Sequence, residues 1–178
     1  MPVAAFVAEA LGAPLDVLVV RKIGVPWQPE LALGAVGEGG AVVLNDGVVS
    51  ASGVMADELD ALIRKASHEV ENIADDLRPA AGPSVGPPDV SGQTVIVVDD
   101  GVATGATARA AASVLRHRGS GPIILATPVG APDTCASLRS WFDEVICLET
   151  PRRFVGVGRH YERFDQVSIG EVRRLLST

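Results

Sequence analysis

The spacing of apolar residues alternates along the chain between a helical period and short continuous runs. The longest helical pattern covers residues 56–77, where apolar side chains recur every three or four positions and most charged side chains fall between them. This spacing predicts an amphipathic helix with one buried face. Similar patterns predict helices over residues 3–12, 106–118 and 132–141, and a final helix from the capping box Ser168-x-x-Glu171 to Leu176.

Apolar runs too short for a helix predict strands, and Gly- and Pro-rich segments separate them. Residues 31–36 and 41–44 flank a glycine-rich turn and are predicted to pair as a hairpin. Residues 24–30 are predicted to be a loop and residues 78–93 a connector. Alternating strands and helices indicate an α/β fold, a mostly parallel twisted sheet flanked by helices, in a single domain of residues 1–178. The other strands are predicted over residues 15–20, 95–98, 122–128 and 144–148.

One predicted strand ends in an unusual polar sequence. The apolar run 95–98 predicts a strand buried on both faces, and it stops at Asp99 and Asp100. A Gly/Thr loop then leads into an Ala-rich helix, which places two carboxylates beside free N–H groups at the carboxyl end of a parallel strand. That edge suits a ligand with a phosphate and either hydroxyls or a metal ion. A solvated surface turn is the alternative; a triphosphate-binding P-loop is excluded because no Lys follows the glycine.

The stretch from Val95 to Thr107 closely resembles the phosphoribosyl-pyrophosphate motif of type I phosphoribosyltransferases. The resemblance implies that fold over nearly the whole chain, with a loop that holds the 5-phosphate of the ligand. It also implies that Asp99 and Asp100 face the ribose, take part in catalysis, and contact Mg²⁺ through water or the substrate. The loop residues implied to bind the ligand are Gly101, Val102, Ala103, Thr104, Gly105, Ala106 and Thr107.

Two further segments match features of that family. Arg21 and Lys22 end a predicted strand and begin an Arg-Lys-x-Gly-x-Pro sequence, and two cations at such an edge suit a diphosphate. A solvated strand end is the alternative for this pair. The segment after the last sheet strand contains Phe154, which the resemblance implies stacks on an acceptor base, with simple core packing as the alternative.

The remaining candidate polar residues are predicted to have structural roles. Arg64, Lys65 and His68 lie on the longest predicted helix and are expected to belong to its solvated face. His117 is predicted to be a cation at a helix end, and no role is assigned to His160.

Composition limits the partners and the compartment. A net charge of −7 argues against nucleic acid or an anionic membrane as a partner. Cys135 and Cys147 lack CxxC spacing and a nearby His cluster, so a structural metal site is not expected. No apolar run approaches the roughly 20 residues of a membrane span, and the first residues lack a basic segment. A cytoplasmic protein is therefore predicted.

The resemblance implies an enzyme of nucleotide metabolism, a pentosyltransferase that forms homo-oligomers such as dimers. It would use phosphoribosyl pyrophosphate and Mg²⁺, transfer phosphoribosyl to a base-like acceptor, and release diphosphate. In the family a strand and an Arg-Gly-Gly type loop precede the first helix, but here Met1 falls where that helix begins. This apparent N-terminal truncation predicts exposed strand edges. It leaves three alternatives: a longer gene product, a partner that fills the gap, or a non-catalytic domain that binds phosphoribosyl pyrophosphate or a nucleotide as an effector.

Overall fold

The computed structural model describes residues 1–77 and 88–177. It shows an α/β fold in which helices pack against a three-stranded parallel sheet and a three-stranded antiparallel sheet. Within the described ranges, no helix is long and apolar enough to cross a membrane. In chain order the elements are α1 (Pro2–Leu11), β1 (Val20–Val25), β2 (Gln28–Gly37), β3 (Ala41–Leu44), α2 (Asp46–Ser52), α3 (Ala56–Leu77), β4 (Val95–Val98), α4 (Ala106–His117), β5 (Ile123–Val129), α5 (Pro132–Leu138), β6 (Glu144–Glu149) and α6 (Ile169–Leu176).

The parallel sheet has the strand order β4–β5–β6, and the helices α4 and α5 connect its strands. Leu125 in the central strand pairs with Val97 on one side and with Val145 on the other. It is fully buried and belongs to one apolar cluster with Ala108 and Ala112 of α4. Because alanine side chains are small, α4 packs closely on the sheet and its N-terminus is held near the end of β4.

The strand β4 is less buried than its apolar sequence predicted. Val95 and Val97 pack into the cluster that contains α4, but Ile96 is 37% exposed. Within the described residues β4 pairs with β5 alone, so it is an edge strand of this sheet. The prediction of two buried faces was therefore wrong.

The antiparallel sheet corrects two predictions. Residues 24–30 were expected to be a loop, but β1 and β2 are joined by a turn of only two residues, Pro26 and Trp27. The pairing is irregular around Gly24, where an added Cβ would lie 2.6 Å from the carbonyl oxygen of Pro29. Such an irregularity lets a strand include a proline, which cannot donate to a regular ladder. The two prolines therefore misled the prediction.

The strand predicted over residues 15–20 is also displaced. Residues 13–19 form no strand, and β1 begins at Val20 and continues through Arg21 and Lys22. Val17 packs into the cluster formed with α3, whereas Leu18 packs toward the clusters formed with α4. This alternation shows an extended segment between two cores, which explains why its sequence resembles a strand.

Other predicted elements are confirmed. The α3 helix has the predicted bounds, and β2 and β3 form the predicted hairpin around the glycine-rich turn. Ser168 caps α6 by accepting a hydrogen bond from the N–H of Glu171 at 3.3 Å. The short helix α2 was not predicted; its N-cap is Asn45, whose side chain accepts a hydrogen bond from the N–H of Val48. Most of the predicted connector, residues 78–87, lies outside the described residues.

Candidate functional site

The predicted phosphate loop follows β4 and is anchored to the neighbouring strand β5. The N–H of Asp99 donates to the carbonyl of Ala126 at 3.1 Å, and the N–H of Val102 donates to the carbonyl of Val129 at 2.9 Å. The N–H of Ala131 in turn donates to the carbonyl of Val102 at 2.9 Å. These bonds place the two carboxylates and the loop at the carboxyl end of the parallel sheet, where open α/β sheets bind ligands.

Gly105 makes the connection between this loop and α4. It is the N-cap residue, buried, with φ of +70°, a conformation that residues with a Cβ rarely adopt. A Cβ here would lie 2.9 Å from Cγ2 of Thr134 on α5. The first bond of the helix is from the N–H of Arg109 to the carbonyl of Gly105, so the N–H groups of residues 106–108 have no carbonyl partner within the helix.

Two side chains that the sequence analysis missed hold the loop in place. Thr134 donates its hydroxyl hydrogen to the carbonyl of Ala103 at 2.8 Å, and Arg109 donates from Nη2 to the carbonyl of Thr104 at 2.7 Å. The hydroxyl of Thr104 accepts from the N–H of Ala106 at 3.4 Å. The N–H groups of Thr107 and Ala108 have no carbonyl partner within the helix, and such N–H groups at a helix start favour an anion. Arg109 could have been suspected from its place one turn into α4.

The acid pair lies in a partly dry environment. The N–H of Asp100 donates to Oδ1 of Asp99 at 2.9 Å. Burial raises the pKa of Asp99 above its ordinary value, and the nearby charge of Asp100 adds to this effect. A half-buried carboxylate with a raised pKa beside a second acid is typical of a functional site rather than of a solvated turn.

The segment after β6 covers the acid end of the loop. The hydroxyl of Tyr161 donates to the carbonyl of Asp100 at 2.5 Å, and Val157 packs so closely on Gly101 that a Cβ there would lie 2.4 Å from it. Burial raises the pKa of Tyr161, and the charges of Asp100 and Asp99 raise it further. Tyr161 was missed because its role depends on a contact with a residue that is distant in sequence.

Phe154 does not lie in the core. It is half-buried and stacks on the ring of His160, with ring centroids 5.7 Å apart and planes at 10°. The stacked pair belongs to the same segment as Val157 and Tyr161, which contact the acid end of the loop. His160, to which the sequence analysis assigned no role, is thus part of this aromatic segment.

A cavity of about 690 Å³ lies on the other side of the loop, between β1, α3 and the start of α4. It brings together two predicted groups that are far apart in sequence: the cations of β1 and the hydroxyls of the loop. Asp99, Asp100 and Phe154 are not among the residues that line it. The polar side chains in its lining are Arg21, Lys22, Lys65, Glu69, Thr104 and Thr107.

The cations Arg21 and Lys22 line this cavity from a different type of strand than predicted. Arg21 and Lys22 were expected at the carboxyl end of a parallel strand, but they lie within the antiparallel strand β1. Arg21 Nε donates to Oε2 of Glu69 at 2.8 Å, and Lys22 Nζ donates to the carbonyl of Pro29 at 2.6 Å. The predicted strand position was therefore wrong, although both cations line the same cavity as Thr104 and Thr107.

The α3 helix contributes more to the site than predicted. Lys65 was assigned to the solvated face; it is exposed, yet it lines the cavity with Glu69. The hydrogen bond from Arg21 lowers the pKa of Glu69 below its ordinary value. Arg64 and His68 are exposed and do not line the cavity, as predicted, and His68 bonds Asn72 through Nδ1 at 2.9 Å.

The described residues contain no group of three or more His, Cys, Asp or Glu side chains placed to hold a metal ion. The candidate metal-binding groups of the predicted site are two adjacent carboxylates, Asp99 and Asp100. Mg²⁺ commonly binds one or two carboxylates and completes its shell with water and substrate phosphates. The donor set therefore fits a magnesium ion that arrives with a ligand.

The parallel sheet, the loop after β4 and the adjoining hairpin sheet define an α/β protein with the type I phosphoribosyltransferase fold. The family model of the phosphoribosyl transferase domain matches residues 1–162, and the chain belongs to this family.

Known relatives agree with this assignment. Two Mycobacterium tuberculosis proteins, "Putative phosphoribosyl transferase MT0597" of strain CDC 1551 and "Putative phosphoribosyl transferase Rv0571c" of strain H37Rv, are each 48% identical to this chain over 172 residues. The match covers 97% of this chain but 38% of each relative, so the chain spans well under half of their length. The crystal structure of TT1426 from Thermus thermophilus matches with a TM-score of 0.88 at 36% identity, over 98% of this chain and 80% of that one.

Proposed function

We propose that the site binds phosphoribosyl pyrophosphate and transfers its phosphoribosyl group to a nitrogenous, base-like acceptor. One observation carries this proposal: a single cavity joins the start of α4, with Thr104 and Thr107, to the cations Arg21 and Lys22. An anion cradle facing a cationic wall suits a ligand with phosphate groups at both ends. Membership of the phosphoribosyltransferase family supports the same conclusion.

In this proposal the loop binds the 5-phosphate. The N–H groups at the start of α4 and the hydroxyls of Thr104 and Thr107 donate to the phosphate oxygens. Gly101, Val102 and Ala103 contribute the backbone that leads into this cradle, and Gly105 and Ala106 form the turn into the helix. The loop needs little adjustment on binding because β5 and Thr134 already hold it.

Asp99 and Asp100 are proposed to accept hydrogen bonds from the ribose hydroxyls. Their negative charge also stabilises the positive charge that develops at the anomeric carbon as the bond to diphosphate breaks. Bound with the ligand, Mg²⁺ would neutralise the leaving diphosphate. Arg21 and Lys22 would bind the same leaving group from β1.

The proposed reaction is a displacement at the anomeric carbon. A nitrogen of the acceptor forms the new bond, the bond from carbon to the diphosphate oxygen breaks, and diphosphate leaves with the electron pair. The acceptor nitrogen loses its proton. Phe154, stacked with His160 in the segment that contains Tyr161, is the proposed contact for a planar acceptor.

Diphosphate release tests the proposal directly. The protein is incubated with phosphoribosyl pyrophosphate and Mg²⁺ against a panel of purine and pyrimidine bases, and ribose 5-phosphate binding is measured in parallel by calorimetry. We expect base-dependent release that stops when Mg²⁺ is chelated. Failure to bind either phosphorylated sugar would contradict the assignment of the site.

A second candidate is a domain that binds phosphoribosyl pyrophosphate or a nucleotide as an effector without turning it over. It is favoured by the separation of the acids from the cations, since Asp99 and Asp100 are not part of the cavity lining. The same assay distinguishes the two functions. Binding without diphosphate release for every base would support the effector function and overturn the enzymatic one.

A further inference from the structure

Four residues of α3 line the cavity, and their spacing follows one stripe of the helix. Leu62, Lys65, Ala66 and Glu69 occupy positions i, i+3, i+4 and i+7, the spacing of a single helix face. Such a stripe normally carries apolar residues where it faces the rest of the protein. Two of its positions here carry opposite charges instead, and both charges line the space that faces the phosphate loop.

The contact between Glu69 and Arg21 involves a particular edge of the guanidinium. Glu69 Oε2 accepts a hydrogen bond from Nε, at 2.8 Å, and among the described residues neither terminal Nη group has a hydrogen-bond or ion-pair partner. Arg21 presents its donors as a rigid planar fork. A carboxylate held on the Nε side therefore orients the plane and leaves the Nη pair available for a second anion.

We propose that α3 takes part in ligand binding. In this proposal Glu69 is a positioning residue that orients Arg21 toward the oxyanions of the ligand, and Lys65 binds those oxyanions directly. This inference rests on the proposed function and extends it to residues that the sequence motifs do not include. It explains why the negatively charged Glu69 lines a cavity that is proposed to bind an anion. The gain in binding from orienting Arg21 outweighs the repulsion between Glu69 and that anion.

Two substitutions at position 69 separate orientation from charge. Glu69→Gln and Glu69→Leu remove the same negative charge, but only glutamine keeps an oxygen that accepts from Arg21 Nε. We expect Glu69→Leu to bind Mg²⁺-diphosphate about fivefold more weakly than Glu69→Gln, as for loss of one hydrogen bond of typical net strength. Ribose 5-phosphate, which lacks the diphosphate, should bind both variants equally.

The matched control is Glu71 on the same helix, which is exposed and does not line the cavity. Glu71→Gln and Glu71→Leu should bind diphosphate alike. In an Arg21→Met background the difference between the two Glu69 variants should disappear, because the positioning role acts through Arg21. Thermal melting of every variant verifies that it is folded.

Lys65 is tested against its neighbour Arg64, since both substitutions remove one positive charge from the same part of α3. We expect Lys65→Met to weaken diphosphate binding about fivefold. Arg64→Met, at an exposed position outside the cavity, should change it by about twofold or less. Equal effects of the two substitutions would show a general charge effect and overturn the role of Lys65.

The outcomes separate this inference from the proposed function. If Glu69→Leu binds diphosphate as tightly as Glu69→Gln, the positioning role is wrong, and the proposed function stands as long as the wild type binds the ligand. If the wild-type protein binds ribose 5-phosphate but not diphosphate, both the proposed roles of Glu69 and Lys65 and the proposed substrate are wrong.

Discussion

The two sides of the cavity are built in different ways. The loop side comes from one continuous stretch, residues 104–107, in which a turn and a helix start follow each other along the chain. The opposite side is assembled from β1 and α3, which contribute Arg21, Lys65 and Glu69 from separate parts of the sequence. A contiguous loop can be recognised in the sequence as a motif. A surface formed by separate segments can be recognised only in the three-dimensional structure. The following predictions test whether the two sides also bind different parts of the ligand.

The largest effect is expected on the loop side, at Gly105. Gly105→Ala forces a Cβ into a left-handed backbone conformation, at a cost of about 1–2 kcal/mol, and against Thr134 on α5. If the loop escapes this strain by leaving its position, ribose 5-phosphate binding should weaken roughly 30-fold, the equivalent of about 2 kcal/mol. Calorimetry provides the measurement.

Gly53 serves as the control for this substitution. It also has a positive φ, of +72°, but an added Cβ meets no atom within 4 Å. Gly53→Ala should lose a similar amount of stability and keep its affinity for ribose 5-phosphate. Equal affinities of the Gly105 and Gly53 variants would show that the loop is not the phosphate site.

The acid end of the loop is expected to matter for magnesium-dependent binding. Asp100→Asn removes one of two carboxylates available to the ribose and the metal. It should weaken binding of phosphoribosyl pyrophosphate in Mg²⁺ at least tenfold, about 1.4 kcal/mol. Asp60→Asn, at an exposed position on α3, makes the same chemical change away from the loop. Titration with and without Mg²⁺ should show a larger loss when the ion is present; an equal loss with chelator would contradict a metal role.

On the assembled side, Arg21 should act on diphosphate and not on the 5-phosphate. Because its side chain is about half exposed, Arg21→Met is expected to weaken diphosphate binding roughly sixfold, about 1 kcal/mol. Ribose 5-phosphate binding should not change. Arg139→Met, at an exposed position outside the cavity lining, controls for the loss of one positive charge. An equal loss of affinity for both ligands would mean that the two sides of the cavity do not bind different phosphate groups of the ligand.

Thr104 is expected to have a smaller effect that extends to both ligands. Thr104→Val keeps the shape and removes the hydroxyl, which should weaken ribose 5-phosphate and phosphoribosyl pyrophosphate about threefold each, or roughly 0.7 kcal/mol. Thr104→Ser should restore binding. If valine and serine behave alike in a binding titration, the hydroxyl does not contact the phosphate.

The smallest effect concerns stability and pH at Asp99. Since burial raises the pKa of Asp99 above its ordinary value of 3.8, the folded protein holds this proton more tightly than the unfolded chain does, and the charge opposes folding at neutral pH. Asp99→Asn should therefore raise the melting temperature at pH 7. The gain should shrink as the pH falls through the raised pKa toward 3.8. Melting curves that differ equally at pH 7 and pH 4 would contradict this account.

The elements with a strong local pattern were predictable. The bounds of α3 follow from apolar residues at a helical period, and the end of β4 follows from the sudden change from Val98 to Asp99. The strand β1 was misplaced because residues 15–19 are extended and, apart from Asp16, apolar without forming a strand of a sheet. Pro29 misled the prediction of the next loop, because an irregular pairing beside it preserves the strand. In both cases the deciding factor was the pairing partner, which local sequence does not specify.

The same division holds for the candidate site. Thr104, Gly105 and the acid pair could be identified because their chemistry depends on their order along one loop. Lys65 was assigned to the solvated face because a charge on a long helix usually belongs there. Its place on the same stripe as Leu62 and Ala66 was the available clue, but only the position of β1 and the loop shows what that stripe faces.

The sequence by itself determined the loop between β4 and α4, because a strand end, a left-handed glycine and a helix N-terminus are local structures set by neighbouring residues. Tertiary structure alone decided that this loop faces Arg21, Lys65 and Glu69 across a cavity, and that Tyr161 and Val157 cover the acids. These contacts join residues tens of positions apart. They depend on how sheets and helices pack to bury apolar surface, which is a property of the whole chain.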